Sequence, residues 1–242
     1  MTAGEALAAM AALPAGDLHD LTGGGTAVVL APHPDDESLG CGGLIAEACR
    51  RGEPPLVLVL TDGAGSHPDS RAFPPERLVA LREQEARNAV AELGLPPGRI
   101  AFLRQPDTAA PTSGPAFDRA VADVAARCRG ASVLLAPWRH DPHCDHEAAH
   151  LVAAAVARET GIRHLAYPVW GWTLLPEQEL DGPAPAGVRL DIAAHLSAKR
   201  RAIAAHRSQH AGLIDDDPGG FQLAPGFLAV FERPFECFLT DP

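Results

Sequence analysis

The chain falls in the α/β class, as a mostly parallel sheet with helices on both faces, and three observations point there. Short apolar runs recur at 27–30, 56–60, 100–103, 133–136 and 164–169. The segments between them carry apolar residues at helical spacing, so strand and helix alternate. The run Leu56-Val-Leu-Val-Leu60 is continuously apolar, as expected of a strand covered on both faces.

In chain order, residues 3–13 read as a short amphipathic helix ended by Pro14-Ala-Gly16. A glycine-rich run leads into the first strand, 26–31, and a helix follows to about Arg51. Those glycines precede the strand, whereas a phosphate cradle lies between a strand and the next helix, so they do not make a nucleotide site. The second strand, 56–60, ends in Thr61-Asp-Gly63. Residues 64–74 are rich in Gly, Pro and Ser and read as a mobile substrate loop. Leu78, Leu81, Ala86, Ala89, Val90 and Leu93 form one stripe of a long helix, 75–93, stopped by Gly94. Strand 100–103 is followed by Asp107, then helix 115–128, strand 133–136, helix 146–159 and strand 164–169. Beyond Trp172 the alternation breaks. A Pro- and acid-rich excursion at 176–187 precedes an edge strand at 188–192, a helix at 193–207 and a last strand at 227–231. With no repeat and no clean boundary, residues 1–242 read as one domain, with a core at about 26–172 and an edge-strand and helix extension at 173–242.

The formal charge of −11 argues against nucleic-acid and anionic-membrane partners, which need basic patches. Five scattered cysteines with no CxxC pair suggest reduced thiols and a cytoplasmic home. No secretory signal, membrane anchor or basic amphipathic helix is apparent, so a small soluble partner is expected. A homo-oligomer is compatible with the sequence.

Two clusters carry the chemistry. Ala31-Pro-His-Pro-Asp-Asp-Glu37 follows the first strand, and His140-Asp-Pro-His-Cys-Asp-His146, with His150, follows the fourth. Strand ends are where open α/β sheets place their sites. Imidazoles and carboxylates at short spacing suit zinc, and a carboxylate beside a ligand can stay off the metal and act as a base. A polar helix cap would explain Asp35, Asp36 and Glu37, but neither His33 nor the second cluster.

Together the two motifs resemble the LmbE-like or PIG-L family of zinc-dependent N-deacetylases, over roughly residues 26–172. The segment from Lys199 to His206-Arg-Ser-Gln209 is similar to a helix-end motif of that family. The resemblance implies a Rossmann-like fold and a Zn2+ cofactor. It implies as substrate an N-acetyl amino sugar or glycoconjugate. It makes His33, Asp36 and His146 the metal ligands and Asp35 the general base. His143 would stabilise the tetrahedral intermediate or protonate the leaving amine. Asp141 and Asp145 are expected to orient the histidines. Cys144 stands where the family more often has proline, and whether it or His150 touches the metal stays open, as does iron or manganese in place of zinc. Arg71, Arg82, Arg139 and Trp138 are candidates to contact substrate, and Trp170 and Trp172 could stack on a sugar. Two other readings survive: a metallohydrolase of another amide or ester, and a non-catalytic metal-binding member of the family.

Overall fold

A computed structural model describes residues 1–240 of the chain. Its strands are β1 (Ala15–Gly16), β2 (Thr26–Ala31), β3 (Leu56–Thr61), β4 (Ile100–Gln105), β5 (Ala131–Pro137), β6 (Arg163–Tyr167), β7 (Ala186–Asp191) and β8 (Phe235–Thr240). They form one eight-stranded sheet in the order β1-β7-β8-β6-β5-β2-β3-β4. Neighbours run parallel except β8, which lies antiparallel to both β6 and β7. The helices are α1 (Ala3–Ala11), α2 (Leu18–Thr22), α3 (Asp36–Arg50), α4 (Pro75–Glu92), α5 (Gly114–Arg127), α6 (Cys144–Thr160), α7 (Leu196–Ala205), α8 (Arg207–His210) and α9 (Pro225–Leu228).

The central strands send alternate residues to opposite faces, as a pleated strand must. Val29, Val57, Val59 and Leu135 pack with α3 and α4 on one side. Val28, Leu30, Leu58 and Leu134 pack with α5 and α6 on the other. Chain direction across the sheet reverses at β2, which has β3 on one side and β5 on the other. Loops leaving β2 and β5 diverge there, and the crevice between them is where this fold class binds ligands.

Helix α3 packs close because of its glycines. A Cβ on Gly40 would lie 2.3 Å from Tyr167 Cδ2, and one on Gly43 2.3 Å from Ile192 Cγ2. The buried Glu236 of β8 reaches this face and accepts backbone N–H groups of Gly43 at 2.7 Å and Leu44 at 2.8 Å. Lys199 Nζ, also buried, donates to Glu236 at 2.6 Å.

Three expectations change. The strand near residue 190 is not an edge, because Ala15 and Gly16 pair outside it. Residues 227–231 are helical turns, in which Phe227 stacks on Trp170 at 4.2 Å and Phe231 joins the core. The strand lies instead at 235–240. The loop at 64–74 is tied down: Asp216 accepts Ser70 Oγ and the N–H groups of Arg71 and Ala72, and Asp217 accepts that of Asp69.

Candidate metal centre and its cleft

The turn after β2 and the start of α6 meet at the crevice. Asp36 Oδ2 lies 3.1 Å from His33 Nδ1 and 3.2 Å from His146 Nε2. Ligands at the ~2.0–2.1 Å bond lengths of zinc sit about 3.3 Å apart around a tetrahedron, so these spacings suit atoms sharing one ion. The remaining ring nitrogens are held from behind. Asp145 Oδ2 takes His33 Nε2 at 3.0 Å, and Asp141 Oδ2 takes His146 Nδ1 at 3.0 Å. Carboxylates in that position fix the ring and raise its basicity as a ligand. Among the described residues His146 Nε2 is a buried nitrogen without a hydrogen bond.

The electrostatics ask for a cation. Burial alone would push both imidazoles down, yet the surrounding carboxylates raise His146 to about 9 and His33 well above its usual range. Asp36 is held far below the ordinary carboxylate range by the two imidazoles, against the penalty of burial. Protons here fill the place a metal takes when ligands deprotonate. The residues therefore fit a metal ion. Ligand-capable atoms of His33, His143 and His146 lie within 4.8 Å of one another, as do those of His33, Asp107 and Asp145 and those of His143, Cys144 and Asp145.

Asp35 is buried beside the cluster. Burial raises its pKa, and the charge of Arg82 opposes that rise. Arg82, itself buried on α4, donates to Asp35 Oδ2 at 3.2 Å and to the carbonyls of Gly63 and Pro34. His143 caps α6: its Nδ1 accepts the N–H of Asp145 at 3.2 Å. An imidazole that accepts through Nδ1 carries its proton on Nε2 and is a donor there. Its pKa is lowered by burial and by the charges of His33 and His146.

These groups open into a cavity of about 300 Å³ that also meets Asp107, Ser66, Trp170, Gln209 and Phe221. Of the four candidates for substrate contact, only Arg82 lines it. Arg71 turns its backbone to Asp216, and Arg139 donates to His140 and to the carbonyl of Asp181. Trp138 is buried against α1 residues in a separate cluster. Trp170 faces the cavity, while Trp172 lies under the guanidinium of Arg233. His150 Nδ1 meets the carbonyl of Pro137 at 3.2 Å. Cys144 is exposed, its thiol 3.6 Å from the Thr108 carbonyl and 4.0 Å from His143 Nδ1.

Asp107 is a functional candidate that the motif reading did not select. Its Oδ1 is 3.3 Å from His33 Nε2, and its Oδ2 accepts Gly65 N–H at 2.8 Å. Its place just after β4, at the same C-terminal end of the parallel strands as His33, was the available signal. Glu37 is a second one: it ties Ser38 and the buried His206 together at the start of α3.

The sequence matches the GlcNAc-PI de-N-acetylase (PIG-L) family over residues 28–157, which includes both clusters. The chain belongs to this family. It is 33% identical over 140 residues to 2'-N-acetylparomamine deacetylase of Streptomyces fradiae, a match spanning 52% of this chain and 50% of that protein. The chain thus matches half the length of that curated relative. Among solved structures, N,N'-diacetylchitobiose deacetylase from Pyrococcus horikoshii superposes with a TM-score of 0.67 at 23% identity, covering 93% of this chain and 87% of that one. The zinc-inhibited form of teicoplanin deacetylase Orf2 gives 0.61 at 19% identity, covering 78% and 86%. These two structural likenesses establish the shared fold of the family, a central, mostly parallel sheet flanked by helices.

Proposed function

We propose that the chain is a zinc-dependent N-deacetylase that hydrolyses the acetamido group of an amino sugar or a small sugar-bearing metabolite. The observation that carries this reading is a buried, arginine-held carboxylate, Asp35, next in sequence to a His-Asp-His set at the mouth of an open cavity. His33, Asp36 and His146 are the proposed ligands. Zinc held by them would supply Lewis acidity, acidifying a water and polarising the amide carbonyl.

The chain's own groups do the rest. Asp35 takes the proton of the attacking water, and its raised pKa makes it a stronger base than an exposed aspartate. Arg82 keeps the carboxylate ionised and aimed. His143 donates from Nε2 to the oxyanion that develops on the amide carbonyl oxygen. The proton on Asp35 is then available to the departing amine, which leaves poorly unless protonated. Asp141 and Asp145 hold the ligand rings in register.

The matched relative is named a 2'-N-acetylparomamine deacetylase and a structural neighbour an N,N'-diacetylchitobiose deacetylase, which supports an amino-sugar substrate. Among the described residues no helix is long and apolar enough to cross a membrane. All five cysteines are free thiols, which fits a reducing compartment, and the cytoplasm is the proposed location.

Zinc-loaded protein incubated with a panel of N-acetylated sugars and glycoconjugates should release acetate and free amine, read by mass spectrometry. Turnover of phosphate or carboxylate esters, with every N-acyl sugar left intact, would replace the amidase with a general metallohydrolase.

A further inference from the structure

The motif ending in His206-Arg-Ser-Gln209 has no part in the hydrolysis outlined above, yet it ends in the cleft. Gln209 is fully buried and belongs to the cavity wall. A chain of hydrogen bonds dictates how its carboxamide lies. Buried Glu85 on α4 accepts the backbone N–H of Ser208 at 2.9 Å and its hydroxyl at 2.6 Å. A hydroxyl that gives its only proton to a carboxylate can only accept from other neighbours. Gln209 accordingly turns its amide nitrogen to Ser208 Oγ at 2.8 Å, and the same nitrogen reaches Ser66 Oγ at 3.4 Å. Flipping the amide would set two acceptor oxygens against each other, so the network fixes which end is oxygen.

Gln209 Oε1 is then buried with no hydrogen-bond partner among the described residues. An unmet buried acceptor is costly, and in a binding cleft it is an acceptor kept for a ligand. The wall beside it is apolar and aromatic: Trp170 and Phe221 meet edge to face at 5.7 Å, and both line the cavity. One fixed acceptor beside an aromatic wall suits a pyranose, whose C–H face packs on rings while its edge donates.

Building on the amino-sugar reading, we propose that Gln209 is a substrate-recognition residue. Its Oε1 accepts a hydrogen bond from a 2-acetamido sugar, either from the acetamido N–H or from a ring hydroxyl. A site built around such a bond discriminates strongly against ligands lacking the donor, because the acceptor is then left unmet.

The test uses zinc-loaded Asp35→Asn protein, which holds ligand with little turnover, and the same protein carrying Gln209→Met. Methionine keeps the length of the side chain without the carboxamide. Both are titrated with N-acetylglucosamine and N,N'-diacetylchitobiose by ligand-observed NMR, then with the N-methylated acetamide and the monodeoxy analogues. Gln209→Met should weaken binding about tenfold, the size of one hydrogen bond to a buried acceptor. The analogue lacking the matching donor should bind both proteins alike. If that analogue is N-methylated the donor is the amide, and if deoxy it is a hydroxyl. Equal affinity of the two proteins for both sugars would overturn the role of Gln209 and leave the deacetylase reading standing. Absence of binding by the Asp35→Asn protein would overturn the amino-sugar reading and this assignment together. Should Gln209→Met fail to fold, the analogues decide on the Asp35→Asn protein alone: binding unchanged by every donor deletion overturns the proposal.

Discussion

At the scale of single residues, Asp35 and Asp36 are neighbours on the chain with opposite electrostatic fates. Two imidazoles hold Asp36 ionised, while burial raises Asp35, opposed first by the charge of Arg82 and then by those of His206 and His33. In the proposed mechanism, environment alone separates the ligand Asp36 from the base Asp35. Asp35→Asn is therefore expected to keep its zinc and lose about 10²–10⁴ in kcat; loss of zinc along with activity would make Asp35 a ligand instead. Arg82→Met removes the main opposing charge, so the pKa of Asp35 rises further. The base works only when ionised, and activity grows as pH climbs through that pKa. The acidic limb of the kcat/KM profile should thus move to higher pH, and a limb that stays put would mean another group is the base. His33, Asp36, Asp141, Asp145 and His146 were legible in the sequence because each stands within a short motif after a strand. Asp107 and Ser66 were not, since only the fold brings them, with Gln209 of the His206-Arg-Ser-Gln209 motif, to one cavity.

At the scale of elements, Asp141 does two jobs. Besides His146, it accepts the N–H groups of Val169, Trp170 and Gly171, joining the proposed ligand on α6 to the loop after β6. In Asp141→Asn one oxygen becomes an amide group facing donors. Zinc affinity should fall about 10–100-fold, measured by competition with a chromophoric chelator. Unchanged affinity would remove His146 from the ligand set. Strand and helix positions followed from periodicity almost to the residue for β2 and α4. The run at 227–231 misled because a short apolar stretch looks the same as strand or as buried helical turn. The true strand at 235–240 was passed over because Glu236 breaks its apolar run. That glutamate points inward, where Lys199 and two backbone N–H groups of α3 receive it. Lys199→Met leaves a buried carboxylate without its cation and should cost about 3–5 kcal/mol in denaturant unfolding. A change below about 1 kcal/mol would show that the N–H groups alone satisfy Glu236.

For the whole molecule, the sequence reads as one domain with a core at about 26–172 and an extension at 173–242, and the sheet topology shows the extension completing the sheet. β8 lies between β6 and β7, and the segment carrying Asp216, Asp217 and Phe221 clamps the loop at 64–74 and walls the cleft. A chain stopped after residue 205 is expected to be insoluble or molten, read by near-ultraviolet circular dichroism and dye binding; a folded, zinc-binding fragment would show that the core stands without the extension. The inner placement of β8 also bears on how the protein is made. β6 ends at Tyr167 and β8 begins only at Phe235, so the nascent chain carries an open strand edge from the completion of β6 until β8 is made. β7 and β1 have no route into the sheet until that strand arrives. Closure is a late event between distant parts of the chain, and such pairings are slow.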